Sequence, residues 1–184
     1  RPPEPFTLNV ISRFLYGPPA AGLDGSVEVI VRPDPKPFAA HAGYRFGLAQ
    51  ETLTPRIETL PLPASNAEGL SKLEVRLPPI PDTTLPLQAE FRIAVAEPGG
   101  RPTRQTLSVP VRSQPFAIGI RPMFESDRIA EGADARVEVI AVDAGGKVIA
   151  KPGLQVVLYE EHIDYIWFVR GGGYSFKTSL RSQS

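Results

Sequence analysis

A strand-turn-strand pattern that occurs twice in this chain constrains its fold more than any other feature. Each copy has a β-rich run, a loop with glycine or proline, a Gly-Leu pair and a second β-rich run. The first copy consists of 8–16, Gly22-Leu23 and 27–31, and the second of 137–142, Gly153-Leu154 and 155–159. The Gly-Leu pairs are 153 − 22 = 131 residues apart. This spacing predicts two domains of one kind in tandem, which is typical of scaffolding or binding proteins.

The composition excludes several functional classes. The chain has 184 residues and is 42% apolar, which is enough for a packed core. Lys+Arg and Asp+Glu balance at 20 each, so no electrostatic signature indicates nucleic acid or an anionic membrane surface as a partner. No apolar run reaches the length of about 20 residues that a spanning helix needs. We therefore expect no nucleic-acid partner and no membrane insertion of this segment.

The absence of cysteine and the abundance of proline narrow the fold further. Without cysteine the chain has no disulfide, no catalytic thiolate and no cysteine metal ligand. The 21 prolines disfavour long helices and favour strand ends and turns. The chain begins Arg1-Pro2-Pro3-Glu4-Pro5, which is neither a starting methionine nor a signal peptide. We expect a piece of a longer protein.

Strand-like runs separated by turn residues fill the first part of the chain. They are predicted at 6–16, 25–32, 43–49, 54–60, 71–77, 86–96 and 104–111. Glu97-Pro98-Gly99-Gly100-Arg101 predicts a hairpin turn between the last two, because glycine tolerates positive φ. Segment 124–135 contains Gly132 and has no sustained helical period, so it is predicted as a strand end and a loop.

Two of the runs alternate in polarity with a period of two. In 71–77 the apolar residues occupy alternate positions, and in 89–95 Ala89, Phe91, Ile93 and Val95 do the same. Such alternation predicts one buried and one wet face, as in antiparallel sandwiches. We predict an all-β fold of two tandem fibronectin- or immunoglobulin-like antiparallel β-sandwiches, truncated at both ends.

A domain boundary is predicted near Arg112-Ser113-Gln114-Pro115. The first sandwich then spans 1–114 and lacks its first strand, because only seven residues precede Leu8. The second spans 115–184 and is incomplete, since it is much shorter than the first. Missing strands leave unpaired backbone groups at sheet edges, so we expect self-association through strand pairing.

One group of side chains has the composition of a metal site. Glu160, His162 and Asp164 share one face if 154–169 is a strand, because alternate residues point the same way. Two carboxylates and an imidazole could hold a divalent metal. The competing interpretation is the polar face of an edge strand, and it is preferred because His41 is the only other histidine. We therefore predict no metal and no cofactor.

A glycine run and an aromatic cluster also have a structural and a functional interpretation. Arg170-Gly171-Gly172-Gly173 lacks the Lys-Ser/Thr of a phosphate-binding loop, so it predicts a hairpin turn. The aromatic residues around it either form the core and edge of the second sandwich or a surface for sugar or protein. They are Tyr159, Tyr165, Trp167, Phe168, Tyr174 and Phe176. No Gly-x-Ser-x-Gly motif is present, and with only two histidines we predict that the chain is not an enzyme.

Several phrases resemble one protein family. The run 14–23 resembles the LYGxPAAGL phrase of bacterial α2-macroglobulins. Ile118-Gly119-Ile120-Arg121-Pro122-Met123-Phe124 is similar to a phrase of theirs too. So are Glu131-Gly132-Ala133 with 137–143, and Tyr165-Ile166-Trp167 followed by Gly173-Tyr174. The matches span both predicted domains, and their order is more specific than any single phrase.

This resemblance implies tandem macroglobulin domains, each a seven-stranded sandwich, just before the bait-region domain. Such proteins are large periplasmic protease traps, often lipoproteins of the inner membrane. A protease cuts the bait region. The molecule then changes shape, and a Cys-Glu thioester traps the protease by acylating it. The implied partners are neighbouring macroglobulin and bait-region domains and, for the whole protein, target proteases. The chain has no cysteine and carries neither the thioester nor a lipid-attachment cysteine, so its implied role is mechanical.

A second hypothesis keeps the fold and changes the function. Generic β-sandwiches also build adhesins and carbohydrate-binding modules of cell-surface proteins. The aromatic cluster is the only feature of the sequence that favours this alternative.

Overall fold

The structure, a computed structural model, describes residues 4–80, 82–97, 99–124, 129–130, 132–155, 157, 160–170 and 173–183, with Trp167 the only side chain described in the last two ranges. The chain divides into two compact units, Arg1–Ile149 and Ala150–Ser184. The described part contains strands, turns and one 3-10 turn at Ala39–His41, and all its strand pairs are antiparallel. The prediction of an all-β, antiparallel fold is confirmed. Within the described ranges, no helix has the length and apolarity that crossing a bilayer requires.

Ten strands are described in the first unit and two in the second. They are β1 (Phe6–Ile11), β2 (Asp24–Pro33), β3 (Arg45–Phe46), β4 (Arg56–Leu62), β5 (Leu70–Val75), β6 (Leu87–Ala96), β7 (Thr103–Val111), β8 (Phe116–Pro122), β9 (Val137–Asp143), β10 (Val148–Ile149), β11 (Glu160–Arg170) and β12 (Gly173–Gln183).

The first seven strands except β3 form a sandwich. One sheet has the order β4-β2-β6-β7, and the other pairs β1 with β5. Both sheets contribute to a core of buried apolar side chains. Its members are Leu8, Val27, Val29, Leu62, Val75, Ala89 and Phe91. The ring of Phe6 meets that of Phe91 edge to face, with centroids 5.8 Å apart, a preferred aromatic geometry.

The alternation predicted for 71–77 and 89–95 places the apolar residues inward, as the burial of Val75 and Phe91 shows. The opposite face of β6 is not solvent-exposed along its whole length, because Glu90 is only 5% exposed. Arg32 and Arg92 both pair with its carboxylate, Arg92 through an Nε–Oε1 distance of 2.7 Å. The hydrogen bond from Arg92 and the charge of Arg32 lower the pKa of Glu90. Burial of a paired carboxylate is the reason that the period-two rule fails there.

The predicted run 6–16 is too long, because strand β1 ends at Ile11. The chain then forms a tight loop in which Arg13 bridges to Pro19. Ser65 holds the end of this loop: its hydroxyl donates to the carbonyl of Ala20 (2.6 Å) and accepts from the backbone N–H of Leu23 (3.1 Å). The Gly-Leu pair of the first repeat is therefore a turn fixed by a buried serine.

The predicted hairpin between β6 and β7 is present, since the N–H of Gly100 donates to the carbonyl of Glu97 at 2.8 Å and Gly99 has a φ of 74°. In segment 124–135 the described residues contain no helix, as expected. Residues 125–128 and 131 lie outside the described part.

A second four-stranded sheet, β10-β9-β8-β3, completes the first unit. Strands β8, β9 and β10 follow the predicted boundary at 114/115, whereas β3 precedes it. The second unit contains the antiparallel pair β11-β12, with Arg170 opposite Gly173. The chain therefore reverses direction between Arg170 and Gly173, in agreement with the predicted hairpin.

Candidate functional site at a bridging segment

Residues 38–46 form what we call the bridging segment, which leaves the first sandwich after β2 and ends in β3. Strand β3 pairs with β8, so that Arg45 lies opposite Ile120 and Phe46 opposite Gly119. The prediction of a strand over 43–49 is wrong apart from these two residues. Gly43 and Gly47 have φ of 94° and 81°, which interrupts the extended backbone on both sides of β3.

Two phenylalanines of the bridging segment pack against glycines, one in strand β8 and one in the turn between β9 and β10. An added Cβ at Gly119 would lie 2.6 Å from Cε1 of Phe46, and one at Gly146 would lie 3.0 Å from Cδ1 of Phe38. The rings of Phe38 and Phe46 are themselves 4.8 Å apart. A glycine within a strand often marks a close approach by another group, and here the group is an aromatic ring.

A polar triad lies beside this aromatic contact. Arg121 of β8 forms an ion pair with Glu138 of β9, and its guanidinium carbon lies 4.8 Å from the centroid of the Tyr44 ring. Hydrogen bonds from Arg121 and then Tyr44 lower the pKa of Glu138. Desolvation, together with the hydrogen bond to Glu138, raises the pKa of Tyr44. Both shifts favour an ionised Glu138 and a neutral Tyr44 in the folded chain.

Further polar contacts attach the start of the segment. Arg112 lies over the ring of Phe38 at 4.7 Å and donates a hydrogen bond of 2.6 Å to the carbonyl of Pro37. The same guanidinium is 3.7 Å from a carboxylate oxygen of Asp34. His41 Nε2 lies 2.7 Å from the carbonyl oxygen of Gly146. The segment is thus attached by ring stacking, charge and hydrogen bonds together.

The packing at this place leaves little space. A cavity of about 20 Å³ lies between residues on both sides of the predicted boundary, among them Phe38, Leu85, Arg112 and Phe116. Such a volume holds about one water molecule. The contacts described for the bridging segment join residues on the two sides of the predicted boundary by ring packing, cation–π contact and hydrogen bonding, which is typical of a structural joint.

The sites considered from the sequence fall mostly outside what the structure describes. Glu160, His162 and Asp164 lie on β11 with the same parity, but their side chains are outside the described part. Among the described side chains, no group of three or more His, Cys, Asp or Glu could hold a metal ion. Of the aromatic cluster only the side chain of Trp167 is described, and it is 64% exposed.

The bridging segment was not identified from the sequence. Its pairing joins residues far apart, with His41 and Gly146 separated by 105 positions. The signal that could have found its contact is Gly119, a glycine between two isoleucines within a strand. The sequence of 38–46 contains no pattern that indicates which sheet this segment pairs with.

Comparisons with known proteins identify the family. Residues 1–113 match the model of the bacterial alpha-2-macroglobulin MG5 domain, and residues 119–184 match that of bacterial macroglobulin domain 6. The chain is 30% identical to the alpha-2-macroglobulin of Xylella fastidiosa (strain Temecula1 / ATCC 700964) over 190 aligned residues. That alignment covers 100% of this chain and 11% of the relative, so the chain spans a small part of the relative's length.

Solved structures agree with this result. The chain superposes with a TM-score of 0.78 on Escherichia coli alpha-2-macroglobulin activated by porcine elastase, at 27% identity, covering 99% of this chain and 16% of that one. It superposes with a TM-score of 0.75 on the native conformation of the E. coli protein, at 25% identity, covering 98% of this chain and 12% of that one. The chain therefore belongs to the bacterial alpha-2-macroglobulin family, as a segment built of macroglobulin domains.

Proposed function

We propose that this chain is a non-catalytic scaffold segment of a broad-spectrum protease trap. The observation that carries the proposal is the match of two consecutive macroglobulin-domain models in the order of the chain, over 1–113 and 119–184. The relatives are alpha-2-macroglobulins, and the E. coli protein is one that porcine elastase activates. In this proposal the protease is bound by the whole parent protein, and this segment positions the parts that bind it.

The proposal includes two macroglobulin domains that meet at 114/115. The bridging segment supports a mechanical role, because Phe46 from one side of the division contacts Gly119 on the other. A segment that holds two domains at a fixed joint sets the positions of the domains attached to them. Its partners are the neighbouring macroglobulin and bait-region domains of the same parent chain.

Membership of the family supports a proposal for the cellular location. We infer that the parent is periplasmic and is anchored to the inner membrane through its own N-terminus. Fractionation of cells with an antibody against residues 1–184 tests this inference, which requires the parent in the membrane fraction and its release by detergent. Recovery of the parent in the cytoplasm would contradict it.

A protease-protection assay tests the protease-trap function. The parent protein is incubated with a protease, and cleavage of a large protein and of a small chromogenic peptide is then followed. We expect the large substrate to be spared while the small one is still cut, since a trapped protease keeps its active site. The isolated 184-residue chain should inhibit neither reaction. Equal loss of both activities with the parent, or inhibition by the isolated chain, would contradict a scaffold role in a trap.

One observation favours a second candidate, a carbohydrate- or surface-binding module. The indole of Trp167 is 64% exposed, and exposed tryptophans supply stacking surfaces for sugars. Binding of the chain to a glycan array that is lost in Trp167→Ala would favour this function. Absence of binding by the wild-type chain would remove its only support.

A further inference from the structure

We propose that the bridging segment makes the first sandwich and the sheet β10-β9-β8-β3 one rigid body. The inference deepens the proposed scaffold function, on which it rests, by assigning the joint to particular residues. A rigid joint requires that the segment be held at both ends by the first sandwich and in the middle by the second sheet. The structure has all three attachments.

The two ends of the segment are fixed to the first sandwich. At the start, Arg112 holds Pro37 through a hydrogen bond and pairs with Asp34, whose own N–H donates to the carbonyl of Pro86 at 2.9 Å. After the segment, the Glu51 carboxylate accepts hydrogen bonds from the hydroxyls of Thr83 and Thr84. These bonds lower the pKa of Glu51, so the carboxylate stays ionised at neutral pH.

The chain just after the bridging segment is also attached to Thr84 and Leu85. The backbone N–H of Leu48 donates to Oγ1 of Thr84 at 2.9 Å. An added Cβ at Gly47 would lie 2.8 Å from Cδ2 of Leu85, so the backbone is packed directly on this side chain. The chain between Asp34 and Glu51 is therefore a loop with both ends fixed.

The middle of the loop is held by the second sheet through contacts of different kinds. Phe46 lies on Gly119, His41 contacts the Gly146 carbonyl, and Tyr44 stacks on Arg121. These three contacts involve β8 and the turn between β9 and β10. Because the loop ends are fixed, the sheet separates from the sandwich only if all of them break together. A two-residue strand alone would be a weak attachment, whereas this set acts cooperatively.

Hydrogen exchange of the wild-type chain tests the rigid joint, with backbone amides followed by mass spectrometry or NMR. In an antiparallel pair only alternate N–H groups face the partner strand. A rigid joint therefore requires the β3 amide that faces β8, and the hydrogen-bonded amides of β8, to be protected as strongly as those of β2. In Phe46→Ala we expect exchange in β3 and β8 to accelerate by on the order of tenfold, with β2 and β6 unchanged. Leu48→Ala is the matched control, because this neighbouring side chain is 64% exposed.

Two results would overturn the proposal. One is exchange of the wild-type β3 amide that faces β8 at the rate of the exposed loop around Gly99. The other is an equal effect of Phe46→Ala and Leu48→Ala. If Phe46→Ala does not fold, Tyr44→Phe replaces it, because that change removes only the hydroxyl that bonds Glu138. Faster exchange in Tyr44→Phe that is confined to 38–46 and β8 would support the joint. Unchanged exchange would contradict the joint. Exchange is independent of protease trapping, so a failed joint and a failed trap are distinguishable.

Discussion

The ring of Phe46 lies on the backbone of Gly119, so closely that a methyl group at Gly119 would be 2.6 Å from Cε1 and 2.8 Å from Cζ of the ring. Gly119 is buried within β8, and its φ is not positive. Alanine therefore causes no backbone strain there, and its cost arises only from the ring. This makes the pair suitable for a double-mutant test.

We expect Gly119→Ala to lower the free energy of unfolding by about 1–3 kcal/mol, the range for overpacking. Phe46→Ala should lower it by about 2–3 kcal/mol, less than a fully buried phenylalanine, because Phe46 is half-buried. In the double variant the methyl group has space, so the loss should be smaller than the sum. Urea denaturation of the four proteins measures this coupling, and simple additivity would mean that the two residues are not in contact.

Gly69 is expected to tolerate substitution far less than Gly99. Both have positive φ, 75° and 74°, so alanine at either site costs about 1–2 kcal/mol in backbone strain. At Gly69 a Cβ would also lie 2.3 Å from the carbonyl oxygen of Ser12, whereas at Gly99 nothing lies within 4 Å. Thermal melts should show a clearly larger decrease in Tm for Gly69→Ala. Equal decreases would contradict the described packing of the loop that follows β1.

Ser65→Ala should destabilise the first sandwich by about 1–3 kcal/mol. The buried hydroxyl serves the Leu23 N–H and the Ala20 carbonyl, and its removal leaves both without that partner. Ser108→Ala is the control, because Ser108 is exposed on β7. Chemical denaturation measures both variants. A loss no larger than that of the control would mean that water replaces the hydroxyl.

The bridging segment should loosen at both low and high pH. The pKa of Glu138 is lowered from 4.5, so the folded state favours the carboxylate, and this stabilisation is lost as the pH falls below 4.5 through the folded pKa. The pKa of Tyr44 is raised above 10.0, so its contribution is complete below 10.0 and is lost as the pH rises through the higher folded value. Between these limits neither group contributes a pH dependence.

Amide exchange of 38–46 against pH, corrected for the intrinsic rate, measures this dependence. We expect the acid limb to disappear in Glu138→Gln and the alkaline limb to disappear in Tyr44→Phe. An acid limb that persists unchanged in Glu138→Gln would assign it to another carboxylate, such as Glu51, whose pKa is also lowered.

Self-association is expected from the open sheet edges. In the described part, β1 pairs only with β5 and β7 only with β6. A groove of about 520 Å³ between these edges is lined by Val10, Ile11 and Ile93, among others. Sedimentation at increasing concentration should show association that Ile11→Lys weakens, because charged edges oppose strand pairing. A chain that stays monomeric at high concentration would contradict this expectation.

Local pattern identified most of the first sandwich. Strands β2, β6 and β7 lie within one residue of their predicted ends, because alternation along a half-buried strand is a property of the strand itself. The buried Glu90 and the early end of β1 at Ile11 departed from that pattern. Both depend on partners that are remote in the sequence, namely Arg32 for Glu90 and Ser65 for the loop after β1.

The joint could not be identified in this way. The apolar residues of 38–46 follow no regular period. Strand β3 forms because it pairs with β8, which lies more than 70 positions later in the chain. Family resemblance correctly indicated the macroglobulin fold, but it did not indicate which residues connect the sheets. Long-range contacts of this kind are settled by tertiary packing and carry only faint local signals, such as the glycine at 119.

An engineered disulfide between β3 and β8 tests the joint most directly. Arg45 lies directly opposite Ile120, and the chain has no cysteine of its own, so Arg45→Cys/Ile120→Cys introduces one defined thiol pair. We expect it to oxidise completely without loss of Tm, since facing residues of antiparallel strands have Cα separations within disulfide range. Glu58→Cys/Ile120→Cys, on strands of different sheets, is the control and should remain reduced. Failure of the first pair to form, or equal formation of both, would show that the bridging segment is not attached to the second sheet.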